Sequence, residues 1–405
     1  MLLHDYAWLM YSHACHGGDP TRRYERFEAA PGEGRQAPVS AGPEAVANSI
    51  GEGRRQGAPA ERIRVAVVGA TGYAGAELVR ILARHPAVEL VGLVGRGRNS
   101  EPVETVHPHL AASGLTLDAE TPAADAVFLA LPHGAAAERV AELVERGTTV
   151  IDLGPDFRLR NPADYPRWYH FEHPRPDLLA ATVYGLPELH RAELTGLAGR
   201  PVRIVGSPGC YATASILALA PLARAGLIGD LVVDAKSGVS GAGRDPRADL
   251  MFGEVNESVR AYGVGGHRHV AEIEQEIGLV TAPGGHLEPV DFLPHLIPMT
   301  RGILVAAHVR PSRATSQAEL DSLFADAYGN ELFVRIVGEP PATKHVTGSN
   351  EARIQPTYDP RTGRILVLAV IDNLVKGAAG QAVQAFNVVH GLPEDSGLRQ
   401  LPLAP

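Results

Sequence analysis

Three glycines after a short apolar run constrain the fold of this chain more than any other feature. Residues 65–68 are all apolar, and apolar residues at helical spacing follow the glycines. In a strand–turn–helix unit such glycines permit a tight turn and let a pyrophosphate approach the helix N-terminus. An ordinary β-turn-α connection is the alternative. The pattern predicts a dinucleotide site at these positions: Gly69, Thr71, Gly72, Tyr73, Ala74 and Gly75.

The end of the next predicted strand, residues 88–94, indicates which dinucleotide binds. NAD-specific folds usually place an acidic residue there, where it binds the ribose 2′-hydroxyl. This chain instead has Arg96 and Arg98, alternating with glycines, and no carboxylate. Because two guanidinium groups suit a 2′-phosphate, we expect NADP(H) as the cofactor. A solvated basic loop is the alternative.

Strands and helices alternate regularly up to residue 205, and the strands are almost continuously apolar. Such strands between amphipathic helices indicate a parallel sheet covered on both faces, as in a Rossmann-type α/β domain. The predicted strands are 63–68, 88–94, 126–131, 149–153 and 202–205, and the predicted helices are 73–84 and 135–145.

Beyond residue 210 the strands are more widely separated, which predicts an α+β domain on a mostly antiparallel sheet. Its predicted strands are 231–236, 303–309, 332–336 and 365–371, with a helix over 317–327. The predicted domains are an extension over 1–60, an NADP-binding domain over 61–209, a catalytic and dimerisation domain over 210–375, and a C-terminal helical segment over 376–405.

Cys210, one of two cysteines, follows a Pro-Gly turn and precedes an apolar helical run over residues 213–222. The unpaired amides and the macrodipole at a helix N-terminus favour a thiolate over a thiol. We therefore expect a nucleophilic cysteine at the carboxyl end of a strand, where open α/β sheets hold ligands. A buried structural cysteine is the alternative.

Two histidines, His267 and His269, follow a glycine-rich turn and precede a helix. No cysteine or carboxylate at zinc-like spacing accompanies them, so we expect no metal. An imidazole that activates Cys210 fits the pattern better, and we assign that role first to His267. Glu272, one turn past His269, is expected to orient an imidazole, while Arg268 suits an anionic substrate group.

Composition excludes several other classes of protein. The 405 residues carry a net charge of −9, so no basic face for nucleic acid is expected. No run approaches the ~20 apolar residues that span a bilayer. A reactive thiol requires a reducing compartment, so we expect a cytoplasmic protein. Residues 16–62 lack any apolar period, and residues 1–60 are expected to be a disordered extension or an over-extended start of translation.

The segment 205–221 resembles the active-site signature of the N-acetyl-γ-glutamyl-phosphate reductase family, an arginine-biosynthesis branch of the semialdehyde dehydrogenases. Ala212 stands where that family often has proline. The resemblance extends in order from about Arg62 to the C-terminus, through segments 107–110, 129–134, 156–159, 184–188, 237–244 and 371–377.

This resemblance implies reduction of an acyl phosphate to an aldehyde through a thioester on Cys210, with NADPH as the hydride donor. It places Pro132 and Asn373 at the cofactor. It also implies a homodimer or homotetramer. Candidates for the carboxylate and phosphate of the small-molecule substrate are Arg158, Lys236 and Arg244, although surface ion pairs are equally open for each.

Three alternatives remain at this point. A reductase of carrier-linked aminoadipyl or glutamyl phosphate would use the same cysteine, histidine and glycine loop. An aspartate-semialdehyde dehydrogenase usually has asparagine before its cysteine, where this chain has Gly209. A nicotinamide-binding redox sensor would need no proton shuttle, which the segment around His267 supplies.

Overall fold

The computed structural model describes residues 61–283 and 287–403 of the chain. The extension predicted over residues 1–60, with Cys15, lies outside these residues. The elements of the first half are β1 (Ile63–Val68), α1 (Tyr73–Leu82), β2 (Val88–Val94), β3 (Glu101–Pro102), β4 (Thr116–Leu117), β5 (Ala126–Leu129), α2 (Ala137–Glu145), β6 (Thr149–Asp152), α3 (Asp164–Tyr169), α4 (Pro176–Leu179), β7 (Thr182–Tyr184), α5 (Pro187–Gly196) and β8 (Ile204–Gly206).

Six of these strands form a parallel sheet in the order β2-β1-β5-β6-β8-β7. Side chains of β1 alternate between two cores: Val65 and Val67 pack with α1, while Ala66 and Val68 pack with α2. Both faces of the sheet are therefore covered, which explains why its strands are apolar without alternation. The predicted Rossmann-type sheet is confirmed.

The second half begins with a long helix and builds a second sheet. Its elements are α6 (Cys210–Arg224), β9 (Ile228–Ser237), α7 (Phe252–Val255), β10 (Arg260–Ala261), α8 (His269–Val280), β11 (Asp291–Leu296), β12 (Ile303–Pro311), α9 (Gln317–Tyr328), β13 (Val334–Ile336), β14 (Ala352–Asp359), β15 (Arg364–Ile371) and α10 (Gly380–Val389).

The seven-stranded second sheet has the order β10-β11-β9-β12-β15-β14-β13. Antiparallel pairs dominate, and only β11 with β9 and β13 with β14 run parallel. The prediction of a mostly antiparallel α+β domain is therefore confirmed. Along β9 the side chains alternate between buried and half-exposed, because only one face of this sheet packs against helices.

Helix α6 lies against the covered face of the second sheet and is buried almost throughout its length. A helix without a polar face is typical of such a central position. Its N-terminal residue, Cys210, meets the carboxyl end of β8 in the first sheet. The start of α6 is therefore the point where the two halves of the chain meet.

The chain returns to the first sheet at its end. A π-helical turn, Val375–Ala379, precedes α10, whose residues share a core with β1 and α1. The sequence predicted a C-terminal helical segment over residues 376–405, and its regular α-helical turns begin at Gly380. The π-helical turn lies where the chain passes close to another segment, because Gly377 packs against Cα and Cβ of Cys210.

Replacing Gly377 by Ala is expected to destabilise the fold by about 1–3 kcal/mol, the usual range for overpacking. An added Cβ would lie 2.7 Å from Cβ and 3.2 Å from Cα of Cys210. The measurement is the free energy of unfolding in urea. Gly278→Ala in the exposed last turns of α8 is the matched control, because a Cβ there meets nothing within 4 Å. That control should stabilise by about 0.5–1 kcal/mol. Equal effects in the two variants would contradict the prediction.

Candidate active site

Cys210 is the first residue of α6. The N-cap residue is Gly209, which has an extended backbone and no side chain that could accept a hydrogen bond from the helix. The preceding loop is fixed to the first sheet, since the amide of Ser207 donates to the carbonyl of Asp152 at 2.8 Å. The thiol thus lies at a helix N-terminus and at the carboxyl edge of the parallel sheet, as the sequence predicted.

Arg158 donates hydrogen bonds that fix the same loop. Its Nε donates to the carbonyl of Ser207 at 2.8 Å, and one Nη donates to the carbonyl of Leu153 at 2.7 Å. The other Nη reaches Oε1 of Glu272 at 3.2 Å. The sequence proposed Arg158 as a substrate ligand, but the structure directs its nitrogens at protein acceptors. Its position is that of a support for the cysteine loop.

Glu272 of α8 is fully buried and receives several donors at once. Its Oε2 accepts the backbone N–H of Gly209 at 2.9 Å and the hydroxyl of Tyr184 at 2.8 Å. Its Oε1 accepts from Arg158. A buried carboxylate with this many donors is well satisfied and fixes the peptide that precedes Cys210.

The two histidines lie beside this loop with their rings 4.8 Å apart between centroids. The ring of His269 packs on Gly209 so closely that an added Cβ there would lie 2.4 Å from Nε2. That Nε2 is 3.9 Å from Oε1 of Glu272, and Nδ1 of His269 has no hydrogen-bond partner in the described chain.

His267 is engaged differently. Its Nδ1 accepts the backbone N–H of His269 at 3.2 Å, which assigns the proton of the neutral ring to Nε2. Burial, reinforced by the charge of Arg268, lowers the pKa of His267 to about 4. Burial also lowers the pKa of His269, together with the charges of Arg158 and Arg268. Both imidazoles are therefore neutral near pH 7.

The thiol itself differs from the expected thiolate. Burial raises the pKa of the Cys210 thiol above its ordinary value, although Arg158, the Tyr211 amide and Arg268 act in the opposite direction. The helix N-terminus alone predicted a lowered pKa, but the cost of desolvating a charged sulfur outweighs it. In the free protein Cys210 is a thiol at neutral pH.

Cys210 and both histidines line a cavity of about 740 Å³. Pro132, which the family resemblance assigned to the cofactor, also lines it. Sequence reasoning missed other lining residues, including Arg247 and Arg260, because isolated arginines in a loop carry no motif. Three further lining residues that it missed are His133, Tyr211 and Tyr262.

Lys236 is not brought to this cavity. Its Nζ lies 2.5 Å from Oδ2 of Asp234, two residues along β9. Strand alternation puts both side chains on the half-exposed face of the second sheet, whereas Val233 and Ala235 pack on the side of α6. The lysine therefore lies on the sheet face opposite the thiol.

Arg244 lies at the glycine loop instead of the cysteine. Its guanidinium donates to the carbonyl of Thr71 at 3.1 Å and to that of Val106 at 3.2 Å. His107 supports the same loop by donating to the carbonyl of Ala70 at 3.0 Å. A residue of the second half thus holds the loop of the first.

Asn373, also assigned to the cofactor by resemblance, is almost fully buried. Its amide donates to the hydroxyl of Ser240 at 2.9 Å and accepts the N–H of Gly302 at 2.8 Å. These bonds order the segment around residues 238–243, several of which line the cavity. The structure therefore gives Asn373 partners behind the cavity wall.

The glycine loop fits a dinucleotide. Gly69 has φ +87°, and a Cβ there would lie 2.2 Å from the carbonyl of Ala130. A Cβ on Gly75 would lie 2.2 Å from the carbonyl of Gly69, so both glycines serve the turn itself. Gly72 is different, because its Cβ would meet only one atom, at 3.6 Å. Gly72 is the N-cap residue of α1, and no side chain accepts a hydrogen bond from the first N–H groups of the helix. This leaves room and free N–H groups for a pyrophosphate.

The two arginines after β2 are not equivalent. Arg98 is paired with Glu101 at 2.7 Å. Arg96 is exposed and has no carboxylate partner within the described ranges. Both lie at the carboxyl end of β2, next to the glycine loop, where an adenosine ribose is bound in this fold. Arg96 is thus the guanidinium available to a 2′-phosphate.

Residues 61–283 and 287–403 hold no group of three or more histidine, cysteine or acidic side chains that could bind a metal. Within these same ranges, every helix is too short or too polar to cross a membrane.

Two family models match the chain in order. The model described as the semialdehyde dehydrogenase NAD binding domain matches residues 64–197, and the one described as the semialdehyde dehydrogenase dimerisation domain matches residues 210–373. The cysteine at residue 210 stands where the second match begins. The fold and the site together are those of a semialdehyde dehydrogenase.

Curated relatives narrow this class. The chain is 48% identical to the N-acetyl-gamma-glutamyl-phosphate reductase of Heliobacterium modesticaldum over 355 residues, 85% of this chain and 100% of the relative. It is 46% identical to the reductase of the same name from Thermus thermophilus, over 84% of this chain and 99% of the relative. The chain belongs to the N-acetyl-γ-glutamyl-phosphate reductase family.

Solved structures share the fold at lower identity. Aspartate semialdehyde dehydrogenase II of Vibrio cholerae, complexed with ASA, matches with a TM-score of 0.62 and 18% identity, over 82% of this chain and 99% of that one. The aspartate semialdehyde dehydrogenase of Candida albicans with NADP matches with a TM-score of 0.60 and 15% identity, over the same shares of the two chains.

Alkylation of Cys210 by iodoacetamide is expected to be slow at pH 7 and to accelerate through a midpoint above ~8.5, the ordinary cysteine pKa. The raised pKa keeps the sulfur protonated at neutral pH, and the neutral histidines give it no stable ion pair. The measurement is the alkylation rate of the free protein between pH 5 and 10. A plateau of fast alkylation extending below pH 7 would contradict it.

Proposed function

We propose that this chain reduces N-acetyl-γ-glutamyl phosphate to N-acetylglutamate γ-semialdehyde and phosphate, with NADPH as reductant. The observation that carries the proposal is the Cys210 thiol at the head of α6, in a cavity with two neutral histidines and Arg268. Arg268 has no carboxylate partner among residues 61–283 and 287–403 and can receive an anion. The chain matches an N-acetyl-gamma-glutamyl-phosphate reductase over the whole length of that relative, which supports the same reaction.

In the first step Sγ of Cys210 attacks the γ-acyl carbon. A C–S bond forms, the C–O bond to the phosphate breaks, and inorganic phosphate leaves with the bonding electrons. The thiol proton must be removed as the sulfur attacks, because the resting group is a thiol. The positive charges of Arg158 and Arg268 favour the negative sulfur as it develops.

His269 is our choice for the group that removes this proton. Its ring lies against Gly209, the neighbour of Cys210, and its unpartnered Nδ1 can accept. Glu272, 3.9 Å from Nε2, stabilises the imidazolium that forms. A nucleophile, a base and a carboxylate beside the base are the three parts that general-base activation uses.

His267 suits the complementary role of a donor. Because its Nδ1 accepts a backbone N–H, its Nε2 carries the proton. NADPH, when bound, supplies the hydride that reduces the thioester. His267 donates a hydrogen bond from Nε2 to the oxyanion of the tetrahedral species. When the C–S bond breaks, the oxyanion becomes the carbonyl of the aldehyde, and the imidazolium of His269 returns its proton to the sulfur, which restores the Cys210 thiol.

The cofactor contacts that we propose follow from the fold. The N–H groups at the start of α1, after Gly72, would receive the pyrophosphate, and Arg96 the 2′-phosphate. Arg244 and His107 keep the loop in place by holding its carbonyls. Pro132 lines the cysteine cavity, and we propose that it contacts the cofactor there.

We also infer self-association into a homodimer, or a tetramer built from dimers, through the second sheet. The half-exposed face of β9, β12 and β15 is covered by no helix of the described chain. The family model for this half is described as a dimerisation domain, which supports self-association through this half of the chain.

The direct test is the reverse reaction. N-acetylglutamate γ-semialdehyde should reduce NADP⁺ only when phosphate is present, because phosphate must displace the thioester. Cys210→Ser should lose at least a factor of ~10³ in this rate, since the hydroxyl is a poor nucleophile at neutral pH. Its NADPH affinity, measured by fluorescence titration, should stay within twofold. Phosphate-independent activity, or an active Ser variant, would sink the proposal.

Arg96→Ala is expected to raise the KM for NADPH by about 10–100-fold, the loss of one or two charge-assisted hydrogen bonds. The KM for NADH, which lacks the 2′-phosphate, should change less than twofold. Arg98→Ala is the matched control and should have a smaller effect, because Arg98 is already paired with Glu101. Equal losses for both cofactors would show that Arg96 supports the loop and not the phosphate.

Replacing each of the two histidines by Asn should slow a different step of the reaction. His269→Asn should suppress the burst of phosphate released from the acyl phosphate without NADPH, by about 10²–10⁴-fold. His267→Asn should keep that burst and slow only NADPH oxidation. Rapid-quench phosphate release and stopped-flow absorbance measure the two steps. The opposite pattern would exchange the two roles.

A further inference from the structure

One arginine joins two buried carboxylates that the mechanism leaves unused. Arg301 lies just before β12 in the second half, and its Nη2 donates to Oε2 of Glu77 in α1 at 2.7 Å. Its Nη1 donates to Oδ2 of Asp372 at 3.1 Å. Glu77 is 4% exposed and Asp372 is fully buried. We call these three residues the Arg301 bridge.

One end of the bridge is the helix that follows the glycine loop. Glu77 lies in the second turn of α1, and its partners in the described chain are Arg80 of the same helix and Arg301. Burial alone would raise the pKa of Glu77, but these two guanidinium groups hold it below its usual value. Glu77 is therefore a charged carboxylate that binds α1 to the second half of the chain.

The other end of the bridge lies behind the thiol. Oδ1 of Asp372 accepts the N–H groups of Leu374 and Val375 at 2.8 and 3.2 Å, and its carbonyl accepts the N–H of Gly377 at 2.9 Å. Gly377 in turn packs against Cα and Cβ of Cys210. Asp372 thus orders the turn on which the backbone of the nucleophile rests.

The backbone next to Arg301 contacts the wall of the cysteine cavity. Three carbonyls of residues 299–302 accept the N–H groups of residues 238–240 at distances between 2.9 and 3.2 Å. Gly238 and Gly241 line the cavity together with Cys210. Arg301 therefore connects the cofactor helix, the turn behind the thiol and the cavity wall.

This contact between the halves is more specific than the one made by Arg244. Arg244 donates to the carbonyl of Thr71, a neutral acceptor in the glycine loop. Arg301 instead binds a carboxylate at each end, and its side chain is 26% exposed. Because a guanidinium is planar and its N–H donors are rigidly placed, it fixes the direction as well as the distance between the groups that it joins.

We propose that Arg301 is a positioning residue, which places the reduced cofactor on α1 at the correct distance from the acyl group on Cys210. The inference rests on the proposed function, in which a hydride passes from NADPH to the carbon of the thioester. Misplacing two reacting groups by ~1 Å can cost about 100-fold in rate. Acylation of Cys210 and binding of the cofactor need no such alignment between the two halves.

The experiment measures the separate steps in Arg301→Gln. The burst of phosphate released from N-acetyl-γ-glutamyl phosphate without NADPH should stay within twofold of the wild type, and so should the Kd of NADPH in a fluorescence titration. Single-turnover oxidation of NADPH should fall about 10–100-fold. The isotope effect of NADPH deuterated at C4 should increase, because hydride transfer then limits the rate.

Two further variants test the contact itself. Arg80→Gln is the matched control, because it removes the other guanidinium from Glu77 and leaves the contact between the halves intact. It should change none of these steps. Glu77→Gln breaks the bridge at its other end without leaving an unpaired buried carboxylate, and it should reproduce the slow hydride step. Glu77→Gln decides the question alone if Arg301→Gln does not fold.

A second measurement needs no substrate. Saturating NADPH should slow the alkylation of Cys210 by iodoacetamide at alkaline pH in the wild type, because a cofactor placed for hydride transfer shields the thiol. At the same occupancy of NADPH, Arg301→Gln should show less than half of this protection, and Arg80→Gln should show all of it.

The outcomes separate the two claims. Equal losses of the phosphate burst and of NADPH oxidation would mean that Arg301 only supports the fold, and would overturn its positioning role. Unchanged NADPH oxidation in both bridge variants, or undiminished protection of Cys210, would overturn it as well while leaving the reaction intact. A wild-type protein that neither releases phosphate nor oxidises NADPH with this substrate would overturn the proposed function and this inference together.

Discussion

The buried carboxylate of Glu272 is the contact on which the site depends most. It joins α8 of the second half to the peptide of Gly209, to Tyr184 and to Arg158, which in turn holds the carbonyls of Ser207 and Leu153. Removing one partner of such a buried pair costs ~3–5 kcal/mol, because the other charge is left unsatisfied. One side chain thus fixes the position of the thiol relative to both sheets and orients the imidazole beside it.

The electrostatics of the cavity keep the resting site unreactive. The thiol is protonated, both imidazoles are neutral, and the positive charges near the thiol are guanidinium groups. In the proposed mechanism a thiolate forms only as the sulfur attacks and a base accepts its proton. A site of this kind protects its cysteine from other electrophiles, since the thiol form reacts slowly.

The two halves of the chain contribute different residues to the site. The parallel sheet supplies the glycine loop and the edge on which Cys210 stands, while the second half supplies both histidines, Glu272 and the arginines of the cavity. Arg244 crosses from one to the other and holds the loop at Thr71. The position of the cofactor loop is therefore coupled to the segment that lines the substrate cavity.

Local sequence was enough for the strands and helices around the glycine loop, for the two kinds of sheet, and for Cys210 at a helix N-terminus, because these follow from hydrophobic period and turn chemistry. It was also enough to identify the two histidines as candidates. The strands β7, β11 and β14 were missed, since pairing with distant strands stabilises them more than their own composition does.

Only the tertiary structure decided that the thiol is protonated, that Lys236 faces away, that Arg244 belongs to the glycine loop and that Arg247 and Arg260 face the thiol's cavity. Burial, desolvation and the sharing of one carboxylate depend on residues far apart in the chain, and no local pattern records them.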